Sequence, residues 1–253
     1  MDSFPVAFAA YFCAASGVFK LALIQMRVEG GAKEANLARA DHFVAAAQAA
    51  GAHVVRLARS VADHAAERRT DIRCDVTKAE EVAAAADRVH AERGAPDLLV
   101  LNAGTFLLRP LVETTPAEFA EQVASNLTAA FLVLQAFVPA MVERGRGQVV
   151  TVGSVADHRP QPGNAAYVAA KHGLRGLLGA LATELRGTGV RATLVSPGPV
   201  DTEIWDPVDP DHRAGFLKRA AMLRPEDIAE AVLFVATRPE RVSIPELHVE
   251  PRL

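Results

Sequence analysis

The sequence predicts an α/β fold: a doubly wound parallel sheet of about seven strands, with helices on both faces in a three-layer sandwich. Two observations point there. From residue 20 onward, short apolar runs rich in β-branched residues alternate strictly with longer helical patterns, the order expected of successive strand–helix units. That strict alternation argues for a parallel sheet covered on both faces. Composition agrees. Of 253 residues, 50% are hydrophobic and 23% charged, enough to close a substantial core in one domain spanning 1–253.

The expected strands are Leu21–Met26, His53–Ala58, Ile72–Asp75, Asp97–Leu101, Gln148–Val152, Arg191–Val195 and Glu246–Val249. Helical patterns fill Lys33–Ala50, Lys78–Arg93, Pro116–Arg144, Asn164–Arg186 and Pro225–Thr237. Thr115-Pro116-Ala117-Glu118 reads as an N-cap, a proline at the first helical position and early negative charge. Arg224-Pro225-Glu226-Asp227 opens the last helix in the same way. The least regular stretch, Ile204–Arg219, is rich in Asp, Pro and His. It follows a strand end, where doubly wound sheets bind ligands, so both a substrate-covering flap and an ordinary surface loop stay open there.

Ser3 to Phe19 contains no charge, which raises the question of a leader or a membrane span. Asp2 stands where a basic segment would precede a leader, and Pro5, Ser16 and Gly17 interrupt the apolar run, so neither is expected. Residues 1–19 read as an atypical apolar N-terminal extension. Net charge is −3, which suggests no nucleic-acid or anionic-membrane partner. Cys13 and Cys74 are the two cysteines; they make no disulfide framework and suit a reducing, cytoplasmic setting. No metal site is expected.

The residues that carry chemistry centre on Tyr167-Val168-Ala169-Ala170-Lys171, with Ser154 thirteen residues upstream at the end of an apolar run. On a helix, positions four apart share a face, so Tyr167 and Lys171 would project together. A phenol titrates near ~10, and an adjacent ammonium favours its ionised form. The expectation is that Lys171 draws Tyr167 toward the working range while Ser154 holds a substrate oxygen against it. Four further features fall at strand ends or in the long helix: Cys74-Asp75-Val76-Thr77, Asn102-Ala103-Gly104, Asn126 within Ser125-Asn126-Leu127-Thr128, and Ser196-Pro197-Gly198-Pro199-Val200-Asp201-Thr202. Singly, each has a plainer reading as a turn former, a cap or a solvated side chain; the set in this order does not.

With those residues in place, the chain from about His53 to Leu253 resembles the short-chain dehydrogenase/reductase family. The resemblance implies a Rossmann-type domain and hydride transfer between NADP(H) and a carbonyl or secondary alcohol. It implies Tyr167 as general acid or base, Lys171 as its partner and a ribose ligand, Ser154 orienting the substrate oxygen, and Asn126 holding a water in the proton relay. Asp75 and Val76 would contact the adenine. Asn102, Ala103 and Gly104 would line the cofactor cleft, and Pro197, Gly198, Val200 and Thr202 would flank the nicotinamide. In dinucleotide folds an acid after the second strand holds the ribose 2′-hydroxyl, whereas arginine suits a 2′-phosphate. Arg59 stands there, so NADP is expected over NAD. A homodimer or homotetramer is implied through the helices Pro116–Arg144 and Asn164–Arg186.

The pattern breaks at its start. The family's Thr-Gly-x-x-x-Gly-x-Gly loop should follow the first strand, its glycines letting the backbone approach the pyrophosphate at a helix N-terminus. Only Gly17, Gly30 and Gly31 precede residue 51, and their spacing does not supply it. A damaged version can be drawn through Cys13-Ala14-Ala15-Ser16-Gly17-Val18-Phe19, with Cys13 and Phe19 in place of the outer glycines. The stretch Leu21-Ala22-Leu23-Ile24-Gln25 through Gly30, with Asn36-Leu37-Ala38-Arg39-Ala40 and Gly51-Ala52, is more similar to the opening strand–helix–strand of the nitrilase (carbon–nitrogen hydrolase) family. Arg59 occupies the place of that family's catalytic glutamate, so its chemistry is not expected. The alternatives to an oxidoreductase are a non-catalytic member of the reductase family and a serine hydrolase built on Ser154, Asp157 and His158. The second lacks the Gly-x-Ser-x-Gly glycines, because Val152 and Ala156 stand there.

Overall fold

The computed structural model describes residues 20–24, 52–59, 62–66 and 69–252. Within them, eight strands form one sheet: β1 (Lys20–Ile24), β2 (His53–Ala58), β3 (His64–Ala66), β4 (Arg69–Arg73), β5 (Leu98–Leu101), β6 (Gly147–Val152), β7 (Val190–Pro197) and β8 (Glu246–Val249). Their spatial order is β3-β4-β2-β1-β5-β6-β7-β8. Every pairing is parallel except that of β3 with β4. The described helices are α1 (Ala79–Arg93), α2 (Pro116–Val123), α3 (Ala129–Arg144), α4 (Ala165–Glu184) and α5 (Pro225–Ala236).

The all-buried runs His53–Ala58 and Leu98–Leu101 divide their side chains between two cores, as the two-residue period of a strand requires. Val55, Leu57, Leu99 and Leu101 face α1, α3 and α4 through Val82, Phe137, Met141, Leu174 and Leu178. Val54, Leu98 and Val100 face the opposite way, toward Val232 and Val235 of α5. That gives the three layers. Strand order reverses at β1, which lies between β2 and β5; ligands in such sheets bind beyond the carboxyl ends of the strands at this point.

Several boundaries differ from the sequence expectation, each for a physical reason. The edge strand β3 was not expected, since His64-Ala65-Ala66 has no β-branched residue. The fourth strand starts at Arg69 rather than Ile72 because its polar residues are paired. Arg56 on β2 grips Asp71 through two hydrogen bonds of 2.9 and 3.0 Å, and Arg69 bonds the same carboxylate. Buried charge in a strand hides it from a search for apolar runs. The long helix Pro116–Arg144 is interrupted by a wide π-turn at Ala124–Thr128, although its start is as expected: Thr115 and Glu118 form a reciprocal capping box behind Pro116. The extension 1–19, the helix Lys33–Ala50 and the loop after β1, including Gly30 and Gly31, lie outside the described residues. So does most of the nitrilase-like stretch. The damaged-loop reading, Cys13–Phe19, also lies outside the described residues.

Candidate active site

The residues singled out by sequence lie on successive carboxyl ends of the sheet. Arg59 follows β2, Asp75 and Val76 follow β4, Asn102 to Gly104 follow β5, Ser154 follows β6, and Pro197 to Thr202 continue from β7. Tyr167 and Lys171 sit one turn apart near the start of α4, whose Leu174 and Leu178 anchor it to the sheet.

Tyr167 is 9% exposed. Its ring meets the Phe106 ring edge-on, centroids 5.0 Å apart, and the Lys171 Nζ lies 5.6 Å from its centroid. Burial pushes the phenol up to about 12; the Ser154 hydrogen bond opposes this and the Asp157 charge adds to it. This corrects the expectation that Lys171 would draw Tyr167 downward. The ammonium is itself desolvated, which lowers it to about 8 against the pull of Asp157, and it lies over the ring. Burial therefore decides both titrations, and Tyr167 is a strong holder of its proton.

Ser154 is fixed by a 3₁₀ turn at Val155–Asp157. Its Oγ accepts from the Ala156 amide at 3.2 Å, and its own amide donates to Asp157 Oδ2 at 3.3 Å. Asn126 lies in the π-turn, a device frequent at functional sites. Its Nδ2 donates to the carbonyls of Thr105 and Gln122, at 3.0 and 3.1 Å, and its Oδ1 accepts from the Thr105 amide. Asn126 thereby ties the π-turn to the chain leaving β5. The fit is close: a Cβ on Gly104 would stand 2.6 Å from Asn126 Oδ1 and 3.6 Å from Lys171 Nζ. A cavity of about 10 Å³ is lined by Ala103, Asn126, Thr151 and Val152, and the buried Thr151 hydroxyl has no hydrogen-bond partner there.

Beyond the ends of β2 and β4, Arg59 Nη1 lies 3.9 Å from Asp75 Oδ2. Burial raises Asp75, but hydrogen bonds from Thr77 and the charges of Arg59 and Lys78 outweigh it, leaving the carboxyl below its ordinary value. Beyond β7, Leu223 donates to the Pro199 carbonyl and Asp201 to the Leu223 carbonyl, at 3.0 and 2.8 Å, so the segment after β7 is pinned. The stretch Ile204–Arg219 is braced to it: Arg219 bonds Asp201, Asp206 and the Thr202 carbonyl. Trp205, in that stretch, packs 5.2 Å from Phe106 and 6.5 Å from Phe216. These rings form an aromatic wall next to Tyr167.

Phe106 and Asp157 are the residues whose place sequence reasoning missed. Phe106 could have been found two positions beyond Gly104; Asp157 was considered only for a hydrolase triad. The geometry dissolves that triad: Asp157 Oδ2 holds the Ser154 amide and the Ser196 hydroxyl, while Ser154 Oγ serves the Ala156 amide and Tyr167.

A family model described as enoyl-(acyl carrier protein) reductase matches residues 31–244. The chain is 30% identical over 183 residues to the 3-oxoacyl-(acyl-carrier-protein) reductase FabG of Escherichia coli, covering 71% of this chain and 75% of that protein. It is 37% identical over 168 residues to the D-threitol dehydrogenase of Mycolicibacterium smegmatis, covering 65% of each. Among solved structures, a metagenomic short-chain oxidoreductase in complex with NADP matches with a TM-score of 0.70 at 31% identity, over 92% of this chain and 97% of that one. A putative short-chain dehydrogenase/reductase from Burkholderia xenovorans matches with a TM-score of 0.77 at 28% identity, over 91% and 94%.

Proposed function

The chain belongs to the short-chain dehydrogenase/reductase family and is an oxidoreductase of that type; from that premise we propose that it reduces a carbonyl compound with NADPH, Tyr167 delivering the proton. The observation that carries this reading is the buried Tyr167 phenol, hydrogen-bonded to Ser154 and lying beside Lys171.

The residues fit a nicotinamide dinucleotide. Arg59 offers a cation for a 2′-phosphate, Asp75 and Val76 an edge for adenine, and Asn102 to Gly104 a close-packed backbone floor. Pro197, Gly198, Val200 and Thr202 supply a pinned wall. The relative solved with NADP supports NADP, with NAD the alternative. Bound in this cleft, the dinucleotide supplies hydride to the carbonyl carbon.

The protein's own residues handle the oxygen. Ser154, held by its turn, orients the carbonyl oxygen toward the phenol. Tyr167 donates its proton as negative charge develops, and its high pKa keeps that proton in place at neutral pH. Lys171, its ammonium 5.6 Å from the ring centroid, stands beside the phenol as that proton leaves. Asn126 and Thr151 are the polar residues lining a small, mostly apolar cavity about the size of one water. The wall of Phe106, Trp205 and Phe216 favours a substrate whose carbonyl bears a flat apolar substituent, because stacking rewards such a shape.

Phe119 on α2 and Phe131 on α3 are 44% and 45% exposed; we assign them to contact with a second copy in a homodimer or homotetramer. We assign the protein to the cytoplasm, and the segment from Lys20 to Ala58 to a nitrilase-like replacement of the usual first strand–helix unit. One observation favours a second reading, a non-catalytic member: no Thr-Gly-x-x-x-Gly-x-Gly stands before residue 51. Incubation of the full chain with NADPH and a panel of aryl and alkyl ketones separates the two. Carbonyl-dependent NADPH consumption is expected; none across the panel would leave the non-catalytic reading.

A further inference from the structure

Asp157 is a charged group with no part in the reaction as described above, yet it is fully buried within the site. Its Oδ2 accepts the Ser196 hydroxyl at 2.6 Å and the Ser154 amide at 3.3 Å, and its Oδ1 lies 2.6 Å from His158 Nδ1. The room is made for it: a Cβ on Gly153 would stand 2.6 Å from Oδ2. Closing a one-turn 3₁₀ cap does not require a charge, since a serine or asparagine supplies the same acceptor without the cost of burying a carboxylate. The charge therefore calls for a separate account.

We propose that Asp157 is a positioning residue of the reaction, fixing Ser154 and setting the electrostatic potential under which the Tyr167–Lys171 pair gives up a proton. The inference rests on the oxidoreductase reading of the same site. Losing one proton takes that pair from a net charge of +1 to zero. A neighbouring carboxylate opposes the loss whichever of the two groups releases the proton, so the pair's apparent pKa rises as a unit. The Asp157 charge acts upward on both Tyr167 and Lys171. Proton donation to a carbonyl is thereby kept available further into the alkaline range, and alcohol oxidation is held back.

The other charged groups facing this pair and Asp157 come from three elements. α4 contributes Arg175, which pairs with Glu246 of β8. The turn after β6 contributes His158 and then Arg159, which pairs with Glu250. β8 contributes His248, whose ring meets that of His158 at 4.3 Å and whose Nε2 lies 3.6 Å from Glu246. Arg175 and Arg159 are each matched by a glutamate, and among the described residues Asp157 is the carboxylate buried against Ser154.

The test is the pH dependence of kcat for alcohol oxidation in full-length variants. Asp157→Asn is isosteric: its Oδ1 can still accept from Ser196 and Ser154, and its Nδ2 can donate to His158. The rising alkaline limb is expected to move toward acid by on the order of one pH unit. Ser196→Ala removes the 2.6 Å hydrogen bond but keeps the charge, and its limb should stay at the parental position. Asp157→Ser, smaller and also uncharged, is the second variant, with thermal melts confirming that each folds. A folded uncharged variant whose limb coincides with the parent overturns the proposal. So does a loss of folding in both, which would assign Asp157 to stability alone. A parent protein with no turnover in either direction overturns the oxidoreductase reading, and this inference with it; a parental limb in an active Asp157→Asn enzyme overturns this inference only.

Discussion

Replacing Tyr167 with phenylalanine removes one oxygen and, on the mechanism above, the proton donor. With its pKa near 12, the phenol is protonated in all but about one molecule in 10⁵ at pH 7, so the donor is fully present in the parent and wholly absent from the variant. General acid catalysis is typically worth ~10²–10⁴ in rate, and the reductive kcat should fall by that factor. The structural loss is small by comparison. The hydrogen bond between Tyr167 and Ser154 contributes about 1 kcal/mol, which lowers Tm by ~2–4 °C in a chain of this size. The edge contact with Phe106 and the position of Lys171 over the ring do not need the oxygen, so NADPH affinity should be nearly unchanged. NADPH consumption at saturating substrate gives kcat, and a melt and a cofactor titration give the other two quantities. A Tyr167→Phe enzyme whose kcat lies within about tenfold of the parent would refute the assignment of the donor.

Two further outcomes are expected. Arg59→Ala should weaken NADPH binding about tenfold relative to NADH, the scale of one charge-assisted hydrogen bond; parallel losses for both cofactors would remove Arg59 from 2′-phosphate recognition. Burial, with the charges of Glu81 and Asp75, raises the Cys74 thiol from 9.0 to about 12. Above pH 9 the unfolded chain then releases a proton that the folded protein keeps, so this contribution to stability is whole below pH 9 and lost between 9 and 12. Lys171 acts oppositely, favouring the fold as pH rises from about 8 to 10.5. Denaturant titrations across this range should show a shallower alkaline loss in Cys74→Ala than in the parent; equal slopes would contradict the reasoning.

Much of the fold was legible because short β-rich runs alternate with helical patterns along the chain. His53–Ala58, buried throughout, and Glu246–Val249, whose residues alternate between exposed and half-buried, both form strands with the expected bounds. β4 was half-missed, the expected strand beginning only at Ile72; no single-strand pattern reveals that Arg56 on a neighbouring strand pairs with Asp71. The site's membership was legible too, because Ser154, Tyr167 and Lys171 are set by local spacing on a strand end and a helix. Its electrostatics were not. The direction of the Tyr167 shift depends on its burial, with Phe106 packed edge-on against its ring, and that contact comes from a segment far away in the chain. Asp157 was read only as a triad candidate for the same reason, since its partner Ser196 lies on another strand.

The central claim is that this cleft accepts a nicotinamide dinucleotide beside Tyr167 despite its altered opening segment. Trp205 is the chain's one tryptophan, and it stands 5.2 Å from Phe106, the ring that covers Tyr167. Excitation of Trp205 during NADPH titration of the full chain therefore reports binding at this site by energy transfer to the nicotinamide. Saturable sensitised NADPH emission, competed away by NADP, is the predicted result. No saturable signal at millimolar NADPH would contradict the account.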